Sequence, residues 1–400
     1  AEEGKHMSRN DTIYTLQQDI EIPKIVTDKA NKTFEQIRKD ADMKNDKMVT
    51  YQKPERKCRK RYMVIALAAA LAVGTATAYA AYTGWSKGLK EELRISEDQQ
   101  NHMEENGMAA FSDATVTDAG VTVTAQQSIT DNYYTYLSFK IDGYSEEQGV
   151  QPDFETISVT VDGQDDFSWG GSFYNGMISD ENGMAVHADG SELETEEDGS
   201  IIENYVMDDG SLEYHMVLAK SDEKGFFMGK NLHVEFKNLG TVAKADYTPD
   251  IDGTWALDMT LGGADVSRFT ETKQKLGDSG ATVTGVELSP VSIRVSYDFP
   301  RIEKNEEYED ENGETQVTTY YEEAPMVSGV KYKDGTTIMN LYGGPGTGGY
   351  ISEDSDEYIS SFAFDRVIDP DQVASVLFYK TTNGNGDVTE EPEYYEVAVK

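Results

Sequence analysis

The hydrophobic pattern changes character along the chain, and its first marked feature is a long apolar run. Residues 62–82 read YMVIALAAALAVGTATAYAAY and carry no charged side chain. At about 1.5 Å per residue, such a helix is about 31 Å long and matches the hydrocarbon core of a bilayer. We therefore predict one transmembrane helix over residues 62–82. The alternatives are a buried helix of a soluble core and a cleaved signal peptide, although residues 7–61 exceed the leader of an ordinary signal peptide.

Beyond this run the pattern changes from a helical period to an alternating one. Residues 83–108 are polar with helical spacing and predict a helical stalk. From residue 109 onward apolar residues alternate with polar ones, and turn dipeptides such as Asp162-Gly163 separate the runs. The predicted strands include residues 121–124, 134–141, 157–161, 212–218, 232–236, 254–259, 281–287, 291–297, 327–333, 376–379 and 394–399. The chain is therefore predicted to be mainly β, with two antiparallel β-sandwich domains over residues 109–272 and 273–400.

The segment before the apolar run contains one amphipathic helix. Residues 1–6 precede Met7, the expected initiator, and carry no functional prediction; residues 7–61 form the predicted cytoplasmic segment. After Pro23, apolar side chains recur at three- and four-residue spacing, among them Ile25, Val26, Phe34 and Ile37. A single short helix cannot bury such a face alone, so it needs a protein groove or the membrane surface as its partner. A disordered tail that only assists insertion is the alternative.

The net charge changes sign from one side of the apolar run to the other. The chain has a net charge of −39, but residues 1–61 hold 15 basic and 11 acidic residues, whereas residues 83–400 hold 20 and 63. Their net charges are therefore +4 and −43. The basic flank of the run contains Arg56, Lys57, Arg59, Lys60 and Arg61. Positive residues favour the cytoplasmic side, which predicts a cytoplasmic amino terminus and extracytoplasmic β domains.

These charges also limit the partners. An acidic body does not bind nucleic acid directly, because phosphate contacts require clustered lysine and arginine. It could hold divalent cations weakly between like charges. The single cysteine, Cys58, excludes an internal disulfide and any site built from several thiolates.

The predicted membrane helix contains a stripe of small residues. Ala66, Ala70, Gly74 and Ala78 recur every four positions, a spacing that lets two membrane helices pack closely. This stripe predicts a helix-mediated homodimer, although a helix so rich in alanine matches the pattern by chance as well.

Motifs for catalysis are sparse. Residues 344–349 match G-x-G-x-x-G, but no helix is predicted after them, so a flexible loop is expected. Glu213 with His215 and His233 with Glu235 would make a metal site if their strands were neighbours; exposed cross-strand polar pairs are the favoured interpretation. We therefore assign no catalytic, cofactor-binding or metal-ligating residue and expect a protein that is not an enzyme.

A row of tyrosines offers one further possibility for ligand binding. Tyr133, Tyr134 and Tyr136 could stack on sugars, or they could pack inside a β-sandwich. The second interpretation is favoured, because alternating tyrosines are ordinary in strands.

The order of segments resembles a known group of bacterial membrane proteins. The stretches IEIPKIVTDKANKTFEQI and DAGVTVTAQQSITDNYYTYLSFKIDG flank the basic stretch and the apolar run. Together they resemble the anti-sigma-like proteins of Firmicutes that accompany extracytoplasmic-function sigma factors and carry an outer domain of unknown function. GVELSPVSIRVSYDF, VKYKDGTTI and DRVIDPDQVASVLF resemble the immunoglobulin-like domain that often follows it.

The resemblance implies a function that the residues alone do not establish. The cytoplasmic segment would bind a sigma factor, and the outer domains would sense a condition of the cell envelope. An extracytoplasmic adhesion or ligand-binding protein, merely anchored by its amino-terminal helix, is the alternative.

Overall fold

The computed structural model describes residues 84–180, 183–196, 199–243, 246–309, 315–380 and 393–399, all within one compact unit. The predicted cytoplasmic helix, the basic flank and the predicted transmembrane helix with its small-residue stripe lie outside these residues. Within the described ranges, no helix is long and apolar enough to span a membrane.

Two short α-helices open the described part of the chain. Helix α1 spans Lys87–Glu92 and helix α2 spans Glu97–Glu105. They occupy the segment for which a helical stalk is predicted, and we call them the entry helices. A 3-10 turn, Pro370–Gln372, stands where the sequence Asp369-Pro370 favours a helix start.

The remaining regular structure is β. The strands of the first half are β1 (Ala109–Phe111), β2 (Thr115–Asp118), β3 (Val121–Thr130), β4 (Tyr134–Asp142), β5 (Gln151–Val161), β6 (Ser168–Phe173), β7 (Met177–Ser179), β8 (Ala185–His187), β9 (Leu212–Ala219), β10 (Asn231–Ala243) and β11 (Asp246–Thr260). Those of the second half are β12 (Arg268–Lys275), β13 (Thr282–Leu288), β14 (Ser292–Asp298), β15 (Glu303–Glu309), β16 (Thr315–Tyr321), β17 (Val327–Tyr332), β18 (Thr337–Met339), β19 (Tyr342–Tyr350), β20 (Glu357–Phe364), β21 (Val373–Tyr379) and β22 (Tyr394–Ala398).

The first half forms two main sheets around one core. The larger has the order β1-β3-β4-β9-β6, with β2 also on β3, and the smaller has the order β11-β10-β5. Alternate residues of the larger sheet, such as Phe139 and Tyr214, meet Phe236 of the smaller sheet with ring centroids 5.1 and 5.6 Å apart. The indole of Trp255 donates to the carbonyl of Val121 across the same core at 3.0 Å. We call these two sheets the first sheet pair.

The second half repeats this arrangement. One sheet has the order β12-β13-β14-β20-β19 and the other β18-β17-β21-β22. Their shared core contains Val295 and Tyr297 from one sheet and Val376 and Phe378 from the other. We call them the second sheet pair. Two hairpins, β7–β8 and β15–β16, stand apart from these sheets.

The prediction of a mainly β, antiparallel chain is confirmed, since the strands named above pair antiparallel throughout. One local expectation changes. Residues 344–349 form part of edge strand β19 rather than a loop. Pro345 is tolerated there because an edge strand needs fewer backbone donors. Strand β12, which crosses residue 272, pairs with β13 and so belongs to the second sheet pair.

Strands β4 and β9 have a feature that alternation alone does not predict, because both of their faces are buried. One face, including Leu137 and Met216, enters the first core. The opposite face, which would be solvent-exposed in an isolated sandwich, carries Ser138, Glu213 and His215. The entry helices cover it.

Candidate functional site

The entry helices are built by local capping signals. Ser86 precedes α1, and its side chain accepts a hydrogen bond from the amide of Leu89 at 3.1 Å. Arg94, with a φ of 53°, reverses the chain between the helices. Ser96 and Gln99 then form a reciprocal capping box at the start of α2. These caps satisfy amides that a helix end otherwise leaves unpaired, so two very short helices persist.

Helix α1 rests on a buried polar cluster of the first sheet pair. Glu213 is a buried carboxylate on β9, and it accepts hydrogen bonds from the Ser86 hydroxyl at 2.5 Å and the Gly88 amide at 3.0 Å. Ser138 on β4 donates to the Ser86 hydroxyl at 2.9 Å. We call Ser86, Ser138, Glu213 and His215, together with Glu92 of α1, the helix seat.

His215 connects the seat to the end of α1. Its Nε2 lies 3.1 Å from Glu213 and its Nδ1 lies 2.5 Å from Glu92, so one ring joins two carboxylates. The ring of Tyr174 stacks on it, with centroids 5.3 Å apart. The Tyr174 hydroxyl in turn donates to Glu91 at 3.1 Å. The underside of a six-residue helix is thus held by charge and hydrogen bonds as well as by apolar contact.

The protonation states follow from this geometry. Burial alone would lower the pKa of His215, but the charge of Glu92 and the hydrogen bonds to both carboxylates raise it to about 9. Burial alone would raise the pKa of Glu213, yet His215, Ser86 and the Gly88 amide lower it. The pair is therefore an imidazolium facing carboxylates at neutral pH, the arrangement that makes burying charge tolerable.

Gly88 explains how closely α1 approaches the seat. A Cβ at this position would lie 2.7 Å from the carboxylate of Glu213, 2.8 Å from the Tyr174 ring and 3.0 Å from the His215 ring. These distances are shorter than an ordinary van der Waals contact, so only glycine allows α1 to pack this closely against β9.

The apolar side of the entry segment reaches both sheet pairs. One buried cluster joins the helices and the loops beside them to the outer face of the first pair and the edge of the second pair. Its members are Leu89, Leu93, Ile95, Met103, Met108, Ala109, Ile129, Tyr133, Tyr134, Tyr136, Ala219, Val291, Ala363 and Val367. The Val367 amide donates to the Leu93 carbonyl at 2.8 Å, and Arg94 pairs with Asp365 at 3.2 Å. The entry helices therefore lie at the junction of the two pairs.

The two sheet pairs also contact each other directly at this junction. Asp131, buried in the turn between β3 and β4, accepts hydrogen bonds from the amides of Tyr133 and Tyr134 at 2.8 Å. Its other oxygen accepts from the hydroxyls of Ser289 and Ser292, the latter at 2.5 Å. Burial raises the pKa of Asp131, and these four donors counteract the shift only in part.

Tyr133, Tyr134 and Tyr136 are part of the same junction. Tyr134 hydrogen-bonds with Ser361 at 2.9 Å, and Tyr136 donates to the Phe364 carbonyl at 2.6 Å. Tyr133 donates to Glu287 at 2.9 Å. All three rings are buried and lie outside either sandwich core, so they neither stack on a sugar nor pack as the sequence suggested.

The possible metal ligands do not come together. Strands β9 and β10 belong to different sheets, so Glu213 and His215 are far from pairing with His233 and Glu235. His233 instead bonds Asp258 on β11 at 2.8 Å. The described part of the chain contains no group of three or more histidine, cysteine, aspartate or glutamate side chains placed to hold a metal ion. The expectation of exposed polar pairs is wrong for Glu213 and His215, because α1 covers them.

The side chains of the helix seat bond one another and the backbone of α1. The Ser86 hydroxyl donates to Glu213 and not to a ring nitrogen of His215, so the seat lacks the serine–histidine contact of a catalytic triad. Both ring nitrogens of His215 already face carboxylates, and the side chains are buried under α1. What the cluster does is fix the segment that leads back toward residues 62–82.

Comparison with known proteins identifies one family model. Residues 55–143 match a domain of unknown function, DUF4179. This match includes the predicted basic flank, the predicted membrane helix, both entry helices and strands β1 to β4. No functionally curated protein matches the chain. The crystal structure of a conserved domain protein from Bacillus anthracis is similar over 74% of this chain and 93% of that chain, at 12% identity and a TM-score of 0.37.

Proposed function

We propose that the protein is a membrane-anchored regulator that resembles an anti-sigma factor. In this proposal residues 62–82 cross the membrane, residues 7–61 bind a sigma factor in the cytoplasm, and the two sheet pairs sense an envelope condition outside the cell. The sheet pairs are then two extracytoplasmic β-sandwiches, the second of them immunoglobulin-like.

The observation that carries this proposal is the position of the entry helices. A protein that signals across a membrane needs a mechanical or energetic link between its outer body and its transmembrane helix. Here the residues that follow the predicted helix contact both sheet pairs, through Glu213 and His215 on one side and Val367 and Asp365 on the other. A change in how the two pairs meet therefore alters the contacts of the segment closest to the membrane.

A passive anchor does not require this arrangement. A flexible tether would suffice for an adhesion or ligand-binding protein, which is the alternative function. The buried helix seat would then serve stability alone, and deleting residues 7–50 would leave every activity of the outer body unchanged.

Binding of a sigma factor is tested with full-length protein isolated from native membranes in mild detergent. The variant Phe34→Ser removes a large side chain from the apolar face of the predicted cytoplasmic helix, and Glu35→Ser is its matched control on the polar face. We expect a sigma factor to co-purify with the wild-type chain and with Glu35→Ser, and to be lost with Phe34→Ser. Equal recovery with both variants, or no sigma factor with any of them, contradicts the proposal.

Topology has an independent test in the single cysteine. Cys58 lies in the basic flank and is expected on the cytoplasmic side. A membrane-impermeant maleimide should label it only after cell lysis. Labelling in intact cells would reverse the proposed orientation.

A further inference from the structure

The β15–β16 hairpin differs from the rest of the β structure in having no third strand. Residues Glu303–Glu309 and Thr315–Tyr321 pair only with each other among the described strands. An isolated two-stranded hairpin is marginal in water, and its open edges offer backbone donors and acceptors to another chain. This hairpin is therefore a place where a further strand can be added.

The hairpin exposes four large apolar or aromatic side chains to solvent. The exposed fractions of Tyr308, Val317, Tyr320 and Tyr321 are 51%, 59%, 47% and 46%. The register places Tyr308 and Tyr320 on one face and Val317 and Tyr321 on the other, so both faces carry exposed large side chains. Large side chains exposed together on both faces mark a contact surface rather than a solvated tip.

The charge of the hairpin determines what can cover it. Residues 303–308 and 315–323 contain five glutamates and one lysine, a net charge of −4. The one lysine, Lys304, already pairs with Glu322 at 2.8 Å. A second copy of this acidic chain or an anionic membrane would be repelled, whereas a cationic chain would be attracted.

One ring of the hairpin, that of Tyr321, already contacts a cation within the protein. The guanidinium of Arg301 lies 5.3 Å from the centre of the Tyr321 ring and 4.3 Å from that of Tyr350. Tyrosine faces attract cations at such distances. Tyr308 and Tyr320 offer the same chemistry further along the hairpin.

We propose that the β15–β16 hairpin is a docking surface for an extended cationic polypeptide. The polypeptide adds a strand along β15, and its lysine or arginine side chains at alternate positions face Glu306, Tyr308 and Tyr320, which share one face of the hairpin. Backbone pairing supplies affinity, and alternating charge supplies selectivity. This inference is independent of sigma-factor binding and of the membrane topology.

The test uses full-length protein in nonionic detergent and a fluorescent probe peptide of about eight alternating lysine and threonine residues, a common strand length. An acidic protein attracts such a peptide over its whole surface. The test therefore compares charge removal at the hairpin with the same charge removal elsewhere. The variant Glu306→Gln/Glu307→Gln removes two charges from β15. The matched control Glu192→Gln/Glu196→Gln removes two charges from another exposed acidic stretch. We expect about fivefold weaker binding for the first and no change for the second, with unchanged melting temperatures.

A second peptide separates strand addition from simple charge attraction. Methylating the backbone nitrogens of alternate probe residues preserves every charge but removes the donors of one edge, and we expect affinity to fall about tenfold. A Tyr308→Ser/Tyr320→Ser variant should also bind more weakly, while Tyr342→Ser, an exposed tyrosine on β19, should not. Equal losses for both glutamate pairs, full binding of the methylated peptide, or adsorption of anionic vesicles through the two tyrosines would each overturn the proposal.

Discussion

Two buried carboxylates hold the centre of this protein together, and their environments are opposite. Glu213, under α1, faces an imidazolium, a hydroxyl and an amide. Asp131, between the two sheet pairs, accepts from two hydroxyls and two amides, and no cation bonds it within the part of the chain that the structure describes. The pKa of Glu213 is accordingly lowered, whereas that of Asp131 is raised. Hydrogen bonds alone hold Asp131 in place, while a counter-charge also stabilises the ionised form of Glu213.

This difference assigns different tasks to the two contacts. The Asp131 contact joins the sheet pairs through short neutral donors on tight turns, which favours a permanent junction. The Glu213 contact joins a six-residue helix to the first pair through groups that titrate. We infer that the helix seat is the more adjustable of the two, and the following predictions test that contrast.

The largest expected effect is that of Asp131→Ala. It removes a carboxylate that satisfies four donors and leaves both amides and one of the two hydroxyls buried without an acceptor, since the other hydroxyl can donate within the Ser289–Ser292 pair. We expect the free energy of unfolding, measured by urea titration, to fall by about 3–5 kcal/mol. Asp131→Asn is the control, because its oxygen can still accept from the amides while the serine hydroxyls rotate to accept from its nitrogen. A loss of about 1 kcal/mol is expected there, and equal losses for both variants would show that the hydrogen bonds are not what matters.

The next effect is that of His215→Phe. The ring keeps its bulk under Tyr174, but Glu92 and Glu213 lose the cation between them. We expect a loss of about 3 kcal/mol in the same titration, because one partner of a buried ion pair is left uncompensated. Adding Glu213→Gln should restore part of the loss. If the double variant is as unstable as the sum of the two single variants, the proposed coupling does not exist.

A smaller and more local effect is expected for Gly88→Ala. The new methyl group would overlap Glu213 and Tyr174, so α1 must move outward, at a cost of about 1–3 kcal/mol. Gly84→Ala is the matched control, since nothing lies within 4 Å of a Cβ there. Lower thermal stability in Gly88→Ala but not in Gly84→Ala would confirm the close approach of α1. Identical melting curves would contradict it.

A further prediction concerns the pH dependence of the seat. The folded pKa of His215, about 9, is above its ordinary value of 6.5, so its contribution is complete below 6.5 and is lost as pH rises through 9. The pKa of Glu213 is lowered from 4.5, so its contribution is present above 4.5 and is lost as pH falls below it. Asp131 behaves oppositely, because its raised pKa makes ionisation above 3.8 costly.

Proton NMR of the imidazole signals measures this directly. The signal missing from the His215→Phe spectrum should titrate in the wild-type protein well above 6.5. A midpoint at or below 6.5 would show that the ring is not held between the two carboxylates.

The strands were predictable from the sequence because their signal is local. Residues 134–141 and 212–218 alternate as a sandwich requires, and β4 and β9 contain them. The helix seat was not predictable, because Glu92 and His215 are 123 positions apart. Helix α1 has the sequence KGLKEE, and its single large apolar residue is too little to predict a buried face. Gly88 and the charged pair Glu213-x-His215 could be read from the sequence. That they contact each other follows only from the packing of α1 on β9.

Hydrogen–deuterium exchange of the full-length protein tests the central claim, that the entry helices are part of the outer body rather than a free stalk. We predict that amides of residues 87–105 are protected to a degree comparable with β4 and β9. Gly88→Ala should reduce the protection of α1 selectively, and Gly84→Ala should not. Rapid exchange of residues 87–105 in the wild-type chain, beside protected β4 and β9, would contradict the account.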